Sequence, residues 1–271
     1  MRVLIELRPS PELVSAATDS AAGISAAALT GEVPGLTVDT GYGPVSVPAA
    51  TAASDTRGDG GSYVVRGEIP DDDPAARAAV AGAPGVTGVF ADPVIEPVLT
   101  CGDTGPVGTW TDVAARLGRD ELTAAGLTGA GVAVAVLDTG INAAAVRGAA
   151  GAAIAIDTSR SWNPAGVRGT AGEFPVDHGT MCAFDALIAA PQATFLDIPL
   201  LRSTRDGGSR MDGLLSDALA AFAHLRTVLT AQPADRRALV VSNSWGSFAP
   251  QWVSRSATRA TTPTIPTTRS T

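Results

Sequence analysis

The sequence predicts a mixed α/β protein in which a small α+β domain over residues 1–100 precedes a mostly parallel sheet with flanking helices. Three observations predict it. The first hundred residues follow the order β-α-β-β-α-β. Beyond them, continuous apolar runs such as residues 132–137 alternate with helical stretches, the pattern of strands covered on both faces. A linker bearing glycine and proline, residues 101–108, separates the two rhythms.

Residues 3–7 read as a strand, and residues 10–27 as a helix opened by Pro11 and Glu12. Residues 35–47 and 62–69 are alternating or β-branched runs, divided by the turn-rich stretch 54–61. Residues 74–83 form an alanine-rich helix whose start is marked by Asp71, Asp72 and Asp73, charges that suit a helix N-terminus. Residues 86–98 return to strand, which completes the ferredoxin-like order. In the second part, 132–137 and 152–156 read as buried strands, 178–190 as a helix and 194–201 as a strand. Residues 211–231 form a long amphipathic helix with Leu215, Leu219, Phe222 and Val228 on its apolar side, and 239–244 is the next strand. There is no internal repeat.

Composition excludes some functions. A net charge of −8 argues against nucleic acid as a partner, because phosphate binding needs a basic face. The short apolar run at the start is broken by Glu6 and Arg8, so it reads neither as an export signal nor as a membrane span. A cytoplasmic location is the expectation for the sequence as written. Two cysteines, Cys101 and Cys182, support no disulfide framework and are expected to be unpaired thiols.

Three segments carry chemistry. Gly129-Ala-Gly-Val-Ala-Val-Ala-Val-Leu-Asp-Thr-Gly-Ile-Asn142 sets Asp138 at the C-terminal end of a buried strand, the edge where open α/β sheets build their sites. Pro175-Val-Asp-His-Gly-Thr-Met181 sets His178 at the start of an apolar helix, with Gly179 allowing close approach. Val240-Val-Ser-Asn-Ser-Trp-Gly246 ends a third buried strand in small polar residues. His224, the other histidine, stands among polar neighbours on the long helix and reads as solvated. Cys182, one turn after His178, reads as a small buried hydrophobe, since metal ligation needs more ligands.

In this order and spacing the three segments resemble those of the subtilisin-like serine proteases, the subtilases. The resemblance makes Asp138 and His178 two members of an Asp/His/Ser catalytic triad, and Ser244, Trp245 and Gly246 the strand that pairs with a bound peptide. It implies a subtilisin-like fold over residues 109–252, a propeptide-like domain over 1–100 that covers the substrate groove, and serine endopeptidase activity on peptide or protein substrates. No cofactor is identifiable; calcium is implied by the resemblance alone. A serine hydroxyl becomes a nucleophile when an imidazole takes its proton, and a buried carboxylate fixes the imidazole's tautomer.

Two parts of that machinery are absent from these 271 residues. No asparagine follows Asn243, where the family places its oxyanion donor, and no Gly-Thr-Ser segment occurs. The stretch 253–271 is rich in threonine and proline and reads as an aberrant disordered tail, of the kind a reading-frame shift after Gln251 would produce. The expected chain is therefore truncated and inactive. Leu137-Asp-Thr-Gly140 also resembles the active turn of aspartic proteases, but the second Asp-Thr-Gly such an enzyme needs is missing. A non-catalytic alternative is a protease-binding or inhibitory protein that acts through the propeptide-like domain.

Overall fold

In the computed structural model, residues 1–10, 25–31, 33–48, 61–70, 73–98, 107–202 and 211–248 are described. The protein is mixed α/β, with an antiparallel sheet first and a parallel sheet with flanking helices after it.

The antiparallel sheet uses β1 (Arg2–Leu7), β2 (Thr37–Val38), β3 (Val45–Val47), β4 (Ser62–Glu68) and β5 (Val86–Ala91). Its order is β2-β4-β1-β5, with β3 also paired to β4. Alternation along β1 turns Val3, Ile5 and Leu7 to one face, where they meet Ala26, Ala76 and Val80. Ala26 lies on α1 (Ala26–Thr30), and the other two on α2 (Pro74–Ala81). The N-terminus of α2 is closed as its acidic lead-in suggests: the Asp73 carboxylate accepts from the amides of Ala75 and Ala76 at 2.9 and 3.0 Å. Of the helix expected over 10–27, residues 11–24 lie outside the described residues.

The single strand expected over residues 86–98 is two. After β5 the chain breaks at Asp92-Pro93, and β6 (Val94–Pro97) leaves the first sheet. Asp92 turns inward to accept from the Ser216 amide at 2.8 Å and its hydroxyl at 2.9 Å, while the Pro93 carbonyl accepts from Leu215. These bonds redirect the strand toward the second part of the chain.

Helices α3 (Trp110–Arg116) and α4 (Arg119–Ala124) lead into the parallel sheet. That sheet contains β7 (Ala133–Leu137), β8 (Ala155–Ile156) and β9 (Thr194–Ile198), with β11 (Leu239–Asn243) at one end, in the order β11-β7-β9-β8. Val134, Val136 and Phe195 point to one face, where they pack with α5 (Ala143–Ala150) and α6 (His178–Ala189). Ala135, Leu137, Leu196 and Ile198 point to the other, under α7 (Leu215–Thr230). All five residues of β7 are buried, as its unbroken apolar run requires.

The face of α7 differs from the expected one. Leu215 and Phe222 are exposed, and the buried residues are Ser216, Asp217, Ala218, Ala221 and Leu225. Small residues let the helix approach the sheet closely. Its first turn is buried by polar contacts with the antiparallel-sheet region rather than by apolar packing. Among the described residues no helix is long and apolar enough to cross a membrane. Cys101 and the stretch 253–271 lie outside the described residues.

Candidate active site

The site begins with β7. Its last residue is Leu137, and the next, Asp138, stays within the sheet by main-chain bonds: its amide donates to Ile198 at 3.0 Å and its carbonyl accepts from Leu201 at 2.9 Å. The side chain is 1% exposed. Asp177 caps the N-terminus of α6, so His178 enters the helix at its first position. Nδ1 of His178 then meets the Asp138 carboxylate at 2.9 and 2.8 Å.

Two glycines make this approach possible. A Cβ on Gly179 would stand 2.8 Å from the Gly140 carbonyl oxygen and 3.0 Å from the Asp138 Cβ. Gly140 has φ +94°, and a Cβ there would enter the Phe174 ring. The two threonines complete the fit: Thr139 Oγ1 accepts from the Gly179 amide at 2.9 Å, and Thr180 Oγ1 from the Asn142 amide at 3.0 Å. Asp-Thr-Gly and His-Gly-Thr are thus interlocked, each supplying a small residue and a hydroxyl to the other.

With Nδ1–H donating to the carboxylate, a neutral His178 keeps its lone pair on Nε2. That is the arrangement of a general base held in one tautomer. Cys182, one helical turn later, does more than pack. Its Sγ lies 3.7 Å from Asp138 Oδ2, 3.7 Å from His178 Nδ1 and 3.6 Å from Ser244 Oγ. It is a free, half-buried thiol. Burial pushes its pKa up, a bond with Ser244 opposes this, and the negative Asp138 raises it further. Asp138, His178 and Cys182 are the one group among the described residues with three metal-type ligand atoms, all within 4.8 Å of one another.

The third predicted segment lies beside the pair. β12 (Trp245–Gly246) runs antiparallel to β6, with Trp245 opposite Pro97 and Gly246 opposite Glu96. On the other edge of β6 lies β10 (Gly213–Leu214), with Gly213 opposite Ile95. A three-stranded sheet results, with β6 in the middle. The Val98 amide donates to the Ser244 carbonyl at 2.8 Å, and Ser244 reaches Cys182 and through it the pair. Ile95, 1% exposed, enters the cluster formed by Leu196, Leu200, Leu201 and Leu225, against which Trp245 also packs.

His224 belongs elsewhere, and it is not simply solvated. Its Nε2 meets the Arg160 carbonyl at 2.8 Å and its ring stacks on Trp162, so it is half-buried. Sequence reasoning missed β10, which only pairing reveals, and Asp197, an aspartate inside an apolar strand. Asp197 is fully buried, with its carboxylate beneath the Asp138 turn. Burial pushes its pKa up to about 6, against the pull of the Gly172 and Ile141 amides and of Arg202. Neither family models nor curated proteins give a match to this chain.

Proposed function

We propose that this chain belongs to the subtilisin-like serine endopeptidases, with Asp138 and His178 as the carboxylate and base of the triad. On this reading the first hundred residues are a ferredoxin-like propeptide that occupies the substrate groove, and the parallel sheet begins a subtilisin-like catalytic domain. The observation that carries the reading is the coincidence of two arrangements. An Asp–His pair bonded through Nδ1 stands at the C-terminal end of a parallel sheet, and an extended strand lies between two others beside it. Such a strand, bonded along its backbone on both edges, is held as a peptide substrate would be.

The groove then has a reading direction. Ile95 fills the apolar pocket, Pro97 faces Trp245, and the Val98 amide is fastened to the Ser244 carbonyl. On this reading the bond to be cut is the one that follows Val98. In the reaction, His178 Nε2 takes the proton of the attacking hydroxyl and returns it to the leaving amine, while Asp138 stabilises the imidazolium. The Gly-Thr-Ser segment that supplies the hydroxyl is not among these 271 residues, so the chain alone carries the groove and the acid–base pair without the nucleophile.

The test joins residues 1–246 to the downstream half of the catalytic domain of an active subtilase, which contributes the asparagine and the serine. The chimera is expected to hydrolyse an Ile-Glu-Pro-Val anilide, and His178→Ala to lower turnover by about 10⁴-fold or more. A chimera whose turnover ignores His178→Ala sinks the proposal.

A further inference from the structure

The turn that follows Asp138 rests on a buried charge outside the Asp–His pair. Asp197 sits on β9, its backbone opposite Val136 of β7, and its side chain is wholly buried. Both carboxylate oxygens lie 3.2 Å from the Ile141 amide, and Oδ2 also accepts from the Gly172 amide at 2.8 Å. Ile141 ends the turn that starts at Asp138. Gly172 is tied to the same region, since its carbonyl accepts from the amide of Ala143 at 2.8 Å. The Asp197 main chain is fastened as well, its amide donating to Ser161 Oγ at 2.9 Å.

We propose that Asp197 is a positioning residue for Asp138: by accepting the amide hydrogens of Ile141 and Gly172, its carboxylate fixes the turn that aims Asp138 at His178.

Three considerations carry this. First, a buried carboxylate is retained only where hydrogen bonds or charges compensate it, and here the compensation comes from two backbone amides next to the site. Arg202 contributes at longer range; its Nε donates to the Thr139 carbonyl at 3.0 Å and its guanidinium lies over Phe174. Second, the other ties on the turn act on other groups: at Ile141 the Phe174 amide donates to the carbonyl at 3.1 Å, which leaves the Ile141 amide to Asp197. Gly179 and Arg202 hold Thr139, and Thr180 holds Asn142. Asp197 holds Ile141. An apolar residue in its place would leave two buried amides without acceptors, and the turn would have to move to find others. Third, the Asp138–His178 contact tolerates little movement, because catalytic groups act within about 0.5 Å of their working geometry. The inference rests on the proposed reading of Asp138 and His178, and its readout is independent of peptide hydrolysis.

The test is proton NMR of the His178 ring Nδ1–H in the full chain, assigned by its loss in His178→Gln. Asp197→Asn keeps the shape and one acceptor oxygen and should keep the signal. Asp197→Leu keeps the approximate volume without an acceptor and should lose the signal while circular dichroism retains the fold. A folded Asp197→Leu chain with an unchanged signal overturns the proposal, as does equal loss of the signal in Asp197→Asn. If Asp197→Leu does not fold, hydrogen exchange in the wild type decides. The His178 ring proton and the Ile141 and Gly172 amides should exchange together. A ring proton that persists long after both amides have exchanged overturns the proposal. A chimera without His178-dependent hydrolysis would instead overturn the proposed function and leave this coupling standing.

Discussion

Replacing Asp217 by asparagine should change how stability depends on pH, in a direction the structure fixes. Asp217 lies in the first turn of α7 and is 6% exposed. Its Oδ1 is 3.3 Å from Arg66, which also holds Asp39 at 2.8 Å and stacks on Tyr42. Asp92 caps Ser216 next door. Arg66, with Arg2 acting more weakly, therefore faces three carboxylates, and Asp217 is raised from 3.8 to about 6, first by burial and then by Asp92, against the pull of Arg66 and Arg2. The folded chain binds more protons than the unfolded chain between these two values, so stability is fully present below pH about 4 and falls as pH rises through about 6. A shift of about two units at ~1.4 kcal/mol each gives a loss of about 3 kcal/mol between pH 4 and pH 7.5.

Asparagine keeps the shape and removes the titration. Urea unfolding of both chains at half-unit steps from pH 4 to 7.5 reads Asp217 together with its coupling to Asp92, because Asp197 titrates in both and largely cancels in the difference. The wild type should lose about 3 kcal/mol relative to Asp217→Asn across that range. A difference that stays level, or a wild type that gains on the variant as pH rises, would refute the argument that burial governs this carboxylate.

Two further substitutions probe the Asp138–His178 contact and the seating of β6. Gly179→Ala should cost about 1–3 kcal/mol by overpacking against Gly140 and Asp138, and should weaken the His178 ring proton signal; an unperturbed signal would show that the helix has room to move. Ile95→Ala should cost about 2–5 kcal/mol, because the side chain is fully buried, and should speed proteolysis of residues 92–98; unchanged proteolysis would mean that β6 is held by its backbone bonds alone.

The two halves of the pair were legible because each stands in a short motif that its own geometry explains. Asp138 ends an unbroken apolar strand, and Gly179 follows His178 because no Cβ fits there. β7 was legible for the same reason, as a continuous apolar run; β8 and β11, expected to be buried, lie at the two ends of the sheet with Ala155 and Val240 exposed. The departure of β6 was not legible: residues 86–98 look uniformly strand-like, and only the Asp92-Pro93 step, with its bonds to Ser216 and Leu215, marks the change of partner. The buried side of α7 was hidden because periodicity ranks leucine and phenylalanine above alanine and serine. In this helix close approach and polar contacts decide the face. Asp197 gave no signal in a window of apolar neighbours, since its partners are backbone amides far along the chain.

The most direct measurement of the central claim is the intact mass of the chimera that carries residues 1–246. If β6 lies in the groove as a substrate and Asp138 and His178 act on the bond that follows Val98, the chimera should cut itself between Val98 and Leu99. Both His178→Ala and Asp138→Asn should leave it whole. A folded, peptidase-active chimera that cleaves elsewhere, or that cleaves here without His178, would contradict the account.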